Sequence, residues 1–204
     1  RLDSSFALAY MHRGMAWAEL KEFDRALADF NSAVNAEPGT AWTYASRADG
    51  WRFLKDWDRA LADYDRAIEL DSKNAVAYLH RGMTRRTLKD YAGAMADYEQ
   101  SLKISPRLAV AHNNIAWLLA TCPEASFRDG KRAVAVATHA CELDGWKNPN
   151  HLDTLAAAYA EAGDFSKAAE WQARAIAMAV GQTSGEDWRA RLDLYRRGMP
   201  YRGE

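Results

Sequence analysis

Three strings, EFDRALADF (22–30), DWDRALADY (56–64) and DYAGAMADY (90–98), are versions of one nine-residue pattern and start 34 residues apart. The same step separates Gly14, Ala48 and Gly82, and again Tyr10, Tyr44 and Tyr78. A fixed period of this length is the mark of a stacked repeat rather than of a single irregular domain. With Ala7, Ala41 and Ala75 each taken as position 1, three registered units fill residues 7–108. Within each unit, apolar or small residues fall at positions 4, 8 and 11 and again at 17, 20, 21, 24, 27 and 28. Both runs have helical spacing. Polar breaks such as Lys21-Glu22 and Lys55-Asp56 part them. Each unit therefore reads as two antiparallel helices, and Pro38 and Pro106 end second helices because their rings lack an N–H. Small residues at positions 8 and 20 allow the paired helices to approach closely.

The register slips after Leu108. A first helix over 109–120 carries His112, Ala116 and Leu119, but the alanine expected at position 20 arrives only at Ala133, five residues late. The insertion lies within 121–131, where Pro123 and Gly130 predict an enlarged turn, so a fourth unit spans 109–148. A fifth, 149–180, returns to register with Leu152, Ala156, Tyr159, Phe165, Ala168 and Ala175. A polar linker at 181–185 leads to a helix over 186–197 with Trp188, Leu192 and Tyr195 on one face. That helix is expected to cap the solenoid, since a terminal unit needs a polar outer side. Residues 1–6 align with 69–74 and read as the tail of a truncated preceding repeat. The first hairpin then lacks a neighbour, which suggests a homo-oligomeric contact through its uncapped face.

The residues Gly14, Trp17, Ala26, Phe30, Ala33 and Pro38 of the first unit resemble the tetratricopeptide repeat family, and the likeness extends over most of the chain. Residues 116–165 are similar to the carboxy-terminal repeats of bacterial multi-repeat proteins. Departures occur at Ser72, Arg85 and Ser101. The resemblance implies an all-α, right-handed superhelical solenoid of antiparallel hairpins that serves as a protein–protein interaction scaffold. A structural or regulatory arm of a larger multidomain enzyme is the alternative.

Charge and composition narrow the functions. Lys plus Arg number 27 against 28 Asp plus Glu, a net charge of -1, which leaves no basic field for nucleic acid. Apolar runs such as 115–120 reach only six residues, far below the roughly 20 residues of a membrane span. Cys122 and Cys141 form no metal or disulfide framework and fit a reducing, cytoplasmic setting. His139 and Cys141 point to different faces of a helix, and no phosphate loop or zinc motif occurs. Neither catalysis nor a cofactor is expected.

Positions 7 and 23 change together. Arg13, Arg47 and Arg81 accompany Asp29, Asp63 and Asp97, whereas Ile115 goes with Val136 and Leu155 with Trp171. Structural ion pairs between the two helices of a hairpin are expected, because an arginine fork matches a carboxylate.

In the family that the chain resembles, first helices line the concave side. Positions 2, 5, 6, 9, 12 and 13 would then form a groove for a peptide or protein segment. The candidate lining is Met11, His12 and Met15, then Trp42, Asp49, Arg52 and Phe53, then His80, Met83 and Arg86, and finally Asn113, Asn114 and Trp117. Aromatic, Met and Arg side chains are enriched at binding patches, and Asn can pair with an extended backbone. Trp42 and Phe53 fit packing between helices equally well. The Lys and Asn of the two-carboxylate clamp found in chaperone-binding members are Met11 and Met15 here, which disfavours an acidic chaperone tail.

Overall fold

A computed structural model describes residues 4–179 and 185–203. The chain divides into two compact units, 1–104 and 105–204, each built of helices, with no strand among the described residues. Residues 1–3 of the supposed repeat tail and 181–184 of the predicted linker lie outside the described residues.

The first unit holds three hairpins: α1 (Ser4–Glu19) with α2 (Phe23–Ala36), α3 (Ala41–Phe53) with α4 (Trp57–Leu70), and α5 (Ala75–Thr87) with α6 (Tyr91–Ile104). Successive hairpins stack through α2 on α3 and α4 on α5, and the first helices α1, α3 and α5 also touch in order. The small residues at position 8 sit against the position-24 ring of the partner helix. A Cβ on Gly14 would stand 2.6 Å from the Phe30 ring, and one on Gly82 would stand 2.7 Å from that of Tyr98. Ala26, Ala33, Ala60, Ala67 and Ala94 are fully buried along the second helices. Each turn reverses through a left-handed lysine: Lys21, Lys55 and Lys89 have φ of 62°, 61° and 64°. The next amide closes a Schellman-type turn, with Glu22 N donating to Trp17 O and Asp56 N to Trp51 O at 2.9 Å each.

The helices of each hairpin are also tied by charge. Arg13 Nε and Nη2 donate to Asp29 at 2.7 Å each, and Arg47 grips Asp63 at 2.7 and 2.8 Å. Asp97 accepts from Arg81 and, at 2.9 Å, from Arg85 Nη1. The Asp29, Asp63 and Asp97 side chains are buried, while their arginines range from 61% exposed at Arg13 to 14% at Arg81. An exposed pair contributes little, and the third hairpin's pair is the most covered of the three, with two arginines on one carboxylate.

The second unit holds α7 (Ala109–Thr121) with α8 (Gly130–Leu143), then α9 (Pro149–Glu161) with α10 (Phe165–Met178), and α11 (Gly185–Arg196). The enlarged turn contains a 3-10 turn, Ala125–Phe127, fastened by Arg128, which donates to Cys122 O, Pro123 O and Glu161. Asp129 then caps α8 through Arg132 N. The helix α11 packs on α10 and buries Trp188, Leu192 and Tyr195, as a cap should. It starts and ends one residue earlier than the spacing suggests. Both cysteines are free and buried, and burial raises the Cys141 thiol to about 12, with Asp144 and Glu142 adding to the effect.

Candidate functional site

In the first unit, the first helices present a wall whose register can be followed position by position. Position 9 carries Met15, Asp49 and Met83, and position 13 carries Glu19, Phe53 and Thr87. Met15, Glu19, Asp49 and Phe53 line a cleft of 320 Å³, floored by Ala18, Phe30 and Gly50. Phe53 is 48% exposed, stacks on Phe23 with ring centroids 5.0 Å apart, and lies under the Arg52 guanidinium at 5.0 Å. His12 and Met15 are exposed.

Beside the cleft, Asp49 gathers donors from three helices. The Tyr64 hydroxyl donates to its Oδ1 at 2.6 Å, His80 Nδ1 stands 2.8 Å from the same oxygen, and Arg52 Nε is 3.5 Å away. Burial pushes the Asp49 carboxyl up. The hydrogen bond and charge of His80, with Tyr64 and Arg52, outweigh it, so the net position is below the ordinary carboxylate value. Burial and the Asp49 charge together raise the Tyr64 hydroxyl far above its ordinary value. A depressed carboxylate stabilises the fold while ionised, and that contribution is lost as pH falls from 3.8 through the lower folded value. Asp49→Asn is therefore expected to flatten the acid limb below pH 3.8. Thermal melts of the two chains from neutral pH downward check this; parallel acid limbs would count against the network.

Not every candidate reaches the wall. Met11 is fully buried and packs with Ala26, Phe30 and Ala33, covered by Trp42 of the next hairpin. Position 5 thus faces the stacking interface rather than a partner, and Trp42 is committed to the same cluster. Leu79, at the same position, is 4% exposed. In the second unit Asn114 is buried, and Asn113 is partly covered.

Trp117 is already occupied. After α11 the described end of the chain forms neither helix nor strand, and Tyr201 sets its ring 5.9 Å from that of Trp117. Gly203 N donates to Thr121 O at 2.8 Å, and Arg202 Nη1 meets Glu161 Oε2 at 2.6 Å. Trp117 holds position 9 of its helix, and Thr121 and Glu161 hold position 13 of theirs. Sequence reasoning gave no role to this tail, because MPYRG (199–203) has no periodicity to read. Among the described residues no group of three His, Cys, Asp or Glu could hold a metal ion.

A tetratricopeptide repeat model matches residues 52–109. That segment, little more than a quarter of the chain, is similar to tetratricopeptide repeats. The first such domain of Spaghetti (RPAP3), solved with the HSP90 peptide SRMEEVD, is 27% identical, with 55% of this chain and 90% of that one covered and a TM-score of 0.54. A thermophilic tetratricopeptide protein of Thermus thermophilus is 19% identical over 94% of this chain and 99% of its own, with a TM-score of 0.72. The Cut9–Hcn1 hetero-tetramer of the anaphase-promoting complex gives a TM-score of 0.80 at 15% identity, over 94% of this chain and 37% of that one. At such identities the last two establish the solenoid fold. No curated protein sequence matches significantly. No described helix is long and apolar enough to cross a membrane.

Proposed function

We propose that the chain is a non-catalytic protein-interaction scaffold that holds an extended peptide on the first-helix wall of its first unit. One observation carries the reading: in the second unit, a non-helical stretch of the chain itself lies on positions 9 and 13 of the first helices, at Trp117, Thr121 and Glu161. The same positions of the first unit, Met15, Glu19, Asp49 and Phe53, surround an open cleft. A wall of this kind suits a non-helical peptide, with a side chain or two seated in the cleft. The Spaghetti domain, similar to just over half of this chain, was solved with an HSP90 peptide bound, which supports a peptide as the partner. Two unpaired, buried cysteines fit a reducing, cytoplasmic setting.

Peptides selected from a random library on the intact chain test this reading by fluorescence anisotropy. The triple variant His12→Ala/Met15→Ala/Phe53→Ala should weaken the selected peptides at least about tenfold, since the few anchors at the centre of a patch dominate affinity. Arg66→Ala, on the second helix α4, should leave them unchanged. Failure to enrich any peptide, or equal weakening by both variants, overturns the proposal.

A further inference from the structure

Residues 199–203 meet the second unit's wall at three places, each with its own chemistry. The Tyr201 ring lies 5.9 Å from the Trp117 ring and 5.2 Å from the Arg191 guanidinium. Arg202 Nη1 stands 2.6 Å from Glu161 Oε2, while the other oxygen of that carboxylate accepts from Arg128 Nε at 3.1 Å. Gly203 N donates to Thr121 O at 2.8 Å. Thr121 and Glu161 are the last residues of α7 and α9. Carbonyls at a helix C-terminus lack intrahelical partners and carry the negative end of the helix dipole. Two such ends, with the Glu161 carboxylate, favour a cation and an N–H donor, and Trp117 beside them favours a ring. The tail supplies these in the order tyrosine, arginine, glycine.

The contact is specific but weakly held. None of residues 199–203 is buried: Met199 and Arg202 are exposed, and Pro200, Tyr201 and Gly203 are only partly covered. Among the described residues one backbone hydrogen bond joins them to the wall. With the Arg202 side chain 38% exposed, its ion pair adds little to the hold. The cap before the tail has a core of its own, since Trp188, Leu192 and Tyr195 are buried. Segments with few buried contacts open locally while the rest of a fold stays closed. The tail can therefore leave the wall without taking α11 with it.

We propose that residues 199–203 are a built-in blocking peptide, which closes the second unit's wall until a partner segment with the same aromatic–arginine pair displaces it. The second unit thereby holds a regulated site of its own for a cationic ligand, separate from the peptide wall of the first unit and not dependent on it. Tail and partner compete for Trp117, Thr121 and Glu161. A short tether gives its ligand an effective concentration on the order of 1 mM, so a peptide that binds the vacant wall at about 0.1 mM is weakened about tenfold by the tail.

The probe is the tail's own sequence, the peptide MPYRG with a fluorophore at its start and an amide at its end. By anisotropy, the variant Tyr201→Ala/Arg202→Ala, whose tail has lost both anchors, should bind it about tenfold tighter than the unmodified chain does. The peptide MPYEG, which sets a carboxylate against Glu161, should bind that variant at least about tenfold more weakly than MPYRG. A second measurement needs no anchor variant. The Gly203 amide resonance is assigned as the signal lost in Gly203→Ala, where the new methyl meets Thr121 at an ordinary 3.4 Å. Excess unlabelled MPYRG should move this resonance of the unmodified chain to its unstructured position while the α11 amides stay in place. Equal affinity of variant and unmodified chain, no preference for arginine over glutamate, or a Gly203 amide that excess peptide leaves in place overturns the proposal. Library peptides that depend on His12, Met15 and Phe53 would then still uphold the first-unit reading. Displacement of the tail without any such peptide would instead uphold the blocking tail and overturn that reading.

Discussion

Asp153→Ala is expected to cost the second unit about 3–5 kcal/mol, the usual penalty for removing one partner of a buried ion pair. Asp153 and Arg191 are 5% and 9% exposed. Arg191 Nε and Nη2 donate to the two carboxylate oxygens at 2.9 and 3.1 Å, and Gln172 Nε2 adds a third bond at 2.8 Å. Burial is the larger influence on the carboxyl and leaves it above its ordinary value despite Arg191. The ionised pair is thus held by matched geometry in a place that disfavours charge. Such a pair contributes little beyond two apolar residues of similar size, whereas half of it is costly. The double variant Asp153→Leu/Arg191→Met should accordingly recover most of the loss. Denaturant titration of the intact chain measures both. A single variant within about 1 kcal/mol of the wild type, or a double no better than the single, would sink the account.

The same substitution reaches the candidate wall. The Arg191 guanidinium stacks 5.5 Å from the Trp117 ring centroid and 5.2 Å from that of Tyr201. It therefore joins the cap, the tail and position 9 of α7 in one cluster. Stability of the cap and occupancy of this wall are coupled through one side chain.

The solenoid was legible in the sequence because its cause is periodic. A hairpin that packs on copies of itself repeats its demands every 34 residues, and Gly14, Ala48 and Gly82 or Phe30, Tyr64 and Tyr98 restate them. What escaped was set by contacts without a period. Position 5 lies on the same helical arc as positions 9 and 12, so Met11 reads as lining. Only stacking of the next hairpin, with Trp42 over the Phe30 cluster, shows it to be core. The left-handed turns were hidden because Lys21, Lys55 and Lys89 stand where the fifth repeat has the expected glycine, Gly163, at φ 85°. The tail on Trp117 depends on a fold-back that no local pattern encodes.

Gly130→Ala should be the most damaging glycine-to-alanine change among the described residues, lowering stability by at least about 3 kcal/mol, at the upper end for overpacking. A Cβ there would stand 2.5 Å from Ala162 N and 2.6 Å from the Glu161 carbonyl carbon. Both are backbone atoms of the α9–α10 turn, so no rotamer can give way. The five inserted residues explain why the approach exists. They carry the chain through the 3-10 turn to Arg128, which bonds Glu161 at 3.1 Å, and to Asp129, whose amide bonds Leu119 O at 3.0 Å. The start of α8 is thereby pressed onto the neighbouring hairpin's turn. Gly82→Ala should cost less, since its obstacle is the Tyr98 ring, and repeat two already accommodates Ala48 opposite Tyr64. Gly39→Ala, with nothing within 4 Å of the new methyl, should stay within about 0.5 kcal/mol of the wild type. Melting the three variants side by side ranks the contacts. If Gly130→Ala unfolds together with Gly39→Ala, the insertion is a loose loop and the close approach of these two turns is not what holds them.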